Sequence, residues 1–83
     1  MEKNRFIFTI DSEKHFNVLV RIITTFNRQR IGIAEFTSQM SPAQDLLRIT
    51  VCFEESRDNA VKLSRKLNRE IDILSVAVFE QFS

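Results

Sequence analysis

The chain has one glycine, one proline, one cysteine and one histidine among its 83 residues. Each scarcity removes a class of chemistry. A single glycine, Gly32, cannot build the glycine-rich loop whose backbone amides cradle a phosphate. A single cysteine, Cys52, forms no internal disulfide and no paired-cysteine metal loop; it reads as a small, half-buried hydrophobe. With His15 the only histidine, no nucleophile–base pair is visible, and no carboxylate pair marks a pocket. His15 itself reads as a solvated loop residue, and catalysis by this chain is not expected. No apolar run is long enough to span a bilayer, and MEKNRFIF lacks the apolar stretch and cleavage site of a signal peptide. The net charge of +1, from 12 basic and 11 acidic residues, leaves no electrostatic footprint for nucleic acid or an anionic membrane. The expectation is a cytoplasmic protein with neither of those partners.

What is present is patterned. A composition of 43% hydrophobic and 28% charged residues belongs to a folded chain, and the length suits one domain over residues 1–83. The stretch Val18 to Ile33, VLVRIITTFNRQRIGI, organises the rest. Leu19, Ile22, Ile23 and Phe26 fall at i, i+3, i+4 and i+7, one face of a helix expected over Phe16–Gln29. Asp11, Ser12 and Asn17 are its possible caps. Arg28 and Arg30 suit the negative end of its dipole, and Gly32 is expected to release the chain into a strand.

The other elements follow by period. Arg5–Ile10 alternates as a strand, with Phe6, Phe8 and Ile10 on one face. Gly32–Met40 reads as a second strand whose parity is broken: Ile33 and Phe36 share a face only if a bulge intervenes. Pro42 marks a turn over Ser41–Asp45, and Leu46–Glu54 is the cleanest strand, with Leu47, Ile49, Val51 and Phe53 on one side. Ser56 caps a second helix striped by Ala60, Leu63 and Leu67, whose basic residues clothe the solvated side. Ile71–Phe82 closes the chain as a strand apolar on both faces.

Strand, helix, strand, strand, helix, strand is the α+β, ferredoxin-like βαββαβ order: a four-stranded antiparallel sheet with two helices on one face. The other face would carry Ile7, Thr9, Arg48, Thr50, Cys52, Ile73, Ala77 and Phe79. That mixed surface is covered by a second copy or another protein, or is a small patch left in water. RNA binding of the kind this fold supports needs stacking aromatics on the third strand, and LLRITVCF has only Phe53, on the helix side.

A polar loop followed by VLVRIITTFNRQRIGIAEF resembles the start of an ACT domain. More narrowly, it is similar to the short, single-domain form of the small regulatory subunit of acetohydroxyacid (acetolactate) synthase. Val18, Leu19, Arg21, Ile22, Phe26 and Ile33 match that pattern; Leu47–Val51 resembles its third strand and Leu67–Val76 its closing segment. The resemblance implies a non-catalytic activating subunit in branched-chain amino-acid biosynthesis. It would be a homodimer through edge-strand pairing, bound to the large catalytic subunit. Thiamine diphosphate, Mg²⁺ and FAD would belong to that partner, and no cofactor to this chain. By resemblance an amino-acid effector would contact Lys14, His15, Phe16, Asn17 and Val18 at the first loop, and Ile31, Gly32 and Ile33 at the second strand. The family has glycine where Asn17 stands and asparagine where Gly32 stands, so weak or absent valine feedback is expected. A stand-alone amino-acid-binding ACT sensor that regulates another enzyme is the alternative reading.

Overall fold

The computed structural model describes residues 2–81. Six elements follow in order: β1 (Asn4–Ser12), α1 (Phe16–Arg28), β2 (Ile33–Ser41), β3 (Leu46–Glu55), α2 (Arg57–Asn68) and β4 (Ile73–Gln81). The sheet is antiparallel throughout, in the order β2-β3-β1-β4. This is the ferredoxin-like βαββαβ arrangement. The last strand begins two residues later than its periodicity suggests, and Phe82 lies outside the described residues.

Period two decides the sheet. Phe6, Phe8, Ile10, Ile49, Val51 and Phe53 all point to the helices and are buried. They pair directly across the central strands, Phe6 with Phe53, Phe8 with Val51 and Ile10 with Ile49. Val18, Ile22 and Phe26 of α1 and Ala60, Leu63 and Leu67 of α2 close the core over them.

Four local expectations are corrected. The buried stripe of α1 runs through Val18, Ile22 and Phe26, while Ile23 is 46% exposed and Leu19 only half-buried. The spacings i, i+4, i+8 and i, i+3, i+7 are both helical, and the resting angle on the sheet chooses between them. None of Asp11, Ser12 and Asn17 caps α1. The N-cap is His15, whose side chain makes no capping bond, because β1 continues through Asp11 and Ser12.

Helix α1 is not ended by Gly32, whose φ is not positive. Arg30 takes the left-handed conformation at φ 57°. Its N–H donates to Asn27 O, and that of Ile31 to Phe26 O, both at 3.0 Å. Buried Ile31 and Phe26 complete this Schellman closure. Finally, Ile73 faces the helices rather than the open side. Ser12 pairs with Ile73 but Asp11 with Ser75, so Leu74 is an extra residue that flips the parity of β4 at its start.

The bulge required in β2 is present. Ile33 pairs with Phe53 and Glu35 with Cys52, leaving Ala34 as the inserted residue, and both Ile33 and Phe36 pack on the core. At α2, Ser56 Oγ accepts from Asn59 N–H at 3.3 Å, the expected cap. Glu55 Oε1 adds a second acceptor, taking Ser56 N–H at 2.9 Å.

Urea melts check these points. Arg30→Gly should raise the urea midpoint, since it relieves a left-handed residue bearing a Cβ, worth about 1 kcal/mol. Gly32→Ala should also stabilise, by roughly 0.4–1 kcal/mol, because a Cβ there meets no atom within 4 Å. Phe53→Ala should cost about 3–5 kcal/mol in the same melts, a large part of the roughly 5–15 kcal/mol a domain has.

Candidate functional site

The surface divides into three regions: the ends of α1, the flank where α1 overhangs β2, and the open face of the sheet. Helix α1 is 13 residues long, hence roughly 20 Å. At its N-terminal end a cleft of about 300 Å³ is lined by Lys14, His15, Phe16, Leu19, Ser38, Met40 and Leu47. At its C-terminal end a cleft of about 290 Å³ is lined by Ile23, Thr24, Phe26, Asn27, Ile31, Gly32 and Ile33. The loop residues and the strand residues expected to hold an effector therefore lie at opposite ends of the helix. Within one chain they are not brought together. Asn17 turns to a third cleft, of about 420 Å³, with His15, Val20, Arg21 and Asp72. The side chain of Val18 belongs to the core, and Ile31 is buried as the closing residue of the helix.

Periodicity gave no sign of the flank between these clefts. Phe16, at 88% exposure, Ile23 and Met40 stand in water beside half-buried Leu19 and Phe36. They run along β2, an outer strand of the sheet. An unpaired strand with apolar side chains above it is a template for another chain.

The open face is laid out in rows by the strand register. Glu35, Cys52, Ile7 and Phe79 form one row; Thr37, Thr50, Thr9 and Ala77 the next; Gln39, Arg48, Asp11 and Ser75 the third. Apolar, threonine and charged rows succeed one another along the strands. In the charged row, Arg48 Nε and Nη2 donate to the two oxygens of Asp11 at 2.8 and 3.2 Å. Those bonds hold the Asp11 carboxyl below its usual value; partial burial opposes them, and the charge of Arg48 and a bond from Ser75 add to them. A second pair ties α2 to β4, with Arg57 Nε donating to Glu80 Oε1 at 2.9 Å and keeping Glu80 likewise low.

Arg21 on α1 grips Asp72, in the loop before β4. Its Nε is buried without a partner among the described residues, a desolvation cost carried by the guanidinium that makes this grip. Phe6, Phe8 and Phe53 are all core, so the open face offers no aromatic platform of the RNA-binding kind on β3. Among the described residues, no helix is long and apolar enough to cross a membrane.

No family model and no curated protein matches the chain. Solved structures do. An uncharacterized protein of Thermotoga maritima superposes with a TM-score of 0.78 at 18% identity, covering 98% of this chain and 100% of that one. The ACT domain of GTP pyrophosphokinase from Chlorobium tepidum gives 0.77 at 13%, covering 94% and 100%. The small subunit of acetolactate synthase from Thermotoga maritima gives 0.75 at 12%, covering 92% of this chain and 46% of that one. The fold is ACT-like. At these identities the likeness is one of architecture, and the ACT-like chain shares with those proteins an element order and a sheet rather than a set of site residues.

Arg48→Met should return the Asp11 carboxyl toward its usual range in an NMR titration. The sign for stability follows. A depressed folded value means the pair stabilises above the unfolded carboxylate range and loses that contribution as pH falls through the folded value. The stability gap between wild type and Arg48→Met should thus be present at neutral pH and close in acid.

Proposed function

We propose that this chain is a regulatory ACT subunit, without catalytic groups of its own, that activates the large catalytic subunit of acetolactate synthase. The observation that carries the reading is the apolar flank over the unpaired β2 edge, in a chain whose sequence resembles the synthase small subunits. The likeness in fold to a small subunit supports it. Activation requires only that the chain bind the competent state of the partner more tightly than the other. The condensation of 2-oxo acids, with thiamine diphosphate, Mg²⁺ and FAD, stays with the partner.

The unpaired β2 edge supports a homodimer. Along β2, Ser38 and Met40 border the start of α1, and Ile33 borders its end. Two β2 strands paired antiparallel about a two-fold axis place the Ile33 end of one copy beside the Met40 end of the other. The loop Lys14–Asn17 of one chain then meets Ile31–Ile33 of its mate, and the two half-sites become one. An amino acid bound there finds Gly32 where a side-chain amide would donate, while the Asn17 side chain turns away to the cleft beside Arg21 and Asp72. Weak or absent valine feedback is the consequence.

Reconstitution tests the function: the large subunit should turn over faster with this chain than without it, and valine should change that rate little. Unchanged turnover ends the proposal. Light scattering tests the dimer. The wild type should have twice the chain mass, and the double variant Ile23→Asp, Met40→Lys the mass of one chain. A stand-alone sensor is the second reading, since the fold also occurs as the ACT domain of GTP pyrophosphokinase. Calorimetry with branched-chain and aromatic amino acids separates the two: a tight ligand with no affinity for the synthase selects the sensor.

A further inference from the structure

We propose that Glu13, His15 and Asp72 bind a divalent first-row transition-metal ion of the Zn²⁺ or Co²⁺ kind. The site does not depend on which enzyme the chain serves. It joins the loop between β1 and α1 to the loop between α2 and β4. One ligand atom from each of the three side chains lies within 4.8 Å of the other two. His15 Nε2 is already 3.6 Å from Glu13 Oε2. Ligands held at about 2.1 Å from a tetrahedral ion sit roughly 3.4 Å apart, so on binding the three donors would draw in by about an ångström.

The backbone beneath these side chains is fixed. Glu13 N–H donates to Asp72 O at 2.9 Å, which locks the two loops together. His15 N–H donates to Glu13 O at 2.9 Å, and Val18 N–H to His15 O at 3.0 Å, which sets the histidine at the first turn of α1. Glu13 and His15 are about half exposed and free to rotate; Asp72, at 20% side-chain exposure, is the anchored ligand. Arg21 engages its Oδ2 and leaves Oδ1 for the cation, the kind of outer hydrogen bond that orients a metal-bound carboxylate. Lys14, between the two loop ligands, turns away and pairs with Asp45. Two carboxylates against one guanidinium leave the cluster negative, as a dication requires. The imidazole discriminates: a nitrogen donor favours Zn²⁺, Co²⁺ or Ni²⁺ over Mg²⁺ and Ca²⁺, which prefer oxygen. Three protein ligands leave at least one position to water.

The test uses the untagged full chain carrying Cys52→Ser, so that no thiol competes. Co²⁺ should bind at one equivalent with a visible absorption band, Zn²⁺ should displace it, and Mg²⁺ should do neither. His15→Ala, an exposed position that leaves the core untouched, should abolish the band, and Glu13→Gln should weaken binding tenfold or more. Absence of saturable one-to-one binding overturns the proposal. So does binding that persists undiminished in His15→Ala.

Discussion

The structure depends on one contact: the ring of Phe26 set against that of Phe53, centroid to centroid at 5.0 Å and nearly perpendicular. Phe53 in turn meets Phe8 edge-on at 4.8 Å and stacks on Phe6 at 5.9 Å. Three elements, α1, β3 and β1, are joined by four rings that bury large apolar area and favour edge-to-face geometry. Among the described residues, no second core shares the load. The angle at which Phe26 enters this cluster sets the rotation of α1. That rotation sends Val18 and Ile22 inward and leaves Phe16, Val20 and Ile23 outside.

The bulges are the second constraint. Ala34 and Leu74 each sit as an extra residue near the start of an outer strand, where a bulge twists the edge and re-aims the side chains beyond it. In β2 the insertion lets Ile33 and Phe36 share the core side. In β4 it returns Ile73 to the core and turns Phe79 to the open face beside Ile7. The central pair β1 and β3 is regular and buries Phe6, Phe8, Ile10, Ile49, Val51 and Phe53 on the helix side, leaving Ile7 and Cys52 half-buried on the other. Irregularity is confined to the edges, where the chain meets whatever lies beyond it.

The outward apolar groups and the loop chemistry therefore occupy different places. The flank of Phe16, Ile23 and Met40 follows β2, an outer strand of the sheet. The charged and polar groups Glu13, His15, Arg21 and Asp72 gather where two loops are hydrogen-bonded to each other. The apolar flank and the polar corner thus lie on separate parts of the surface, one along an outer strand and the other where two loops meet.

The alternation in RFIFTI and LLRITVCF and the helical spacing in the two amphipathic stretches were enough to determine the element order and the topology. Even the bulge in β2 was legible, because Ile33 and Phe36 cannot otherwise share a face. Periodicity states which residues are apolar and how often they recur, and for buried central strands that is decisive. It could not choose between Val18 and Ile23 on α1, since both lie on helical spacings and only the packing of Phe26 separates them. Nor could it place the end of α1 at Arg30, because the closure rests on the burial of Ile31 against Phe26. Glu13, His15 and Asp72 are nearly sixty residues apart at their extremes; the pairing of Ser12 with Ile73 and the bond from Glu13 N–H to Asp72 O just beyond it make them neighbours. Local pattern is written in the chain, whereas proximity between distant loops exists only once the sheet has set its register.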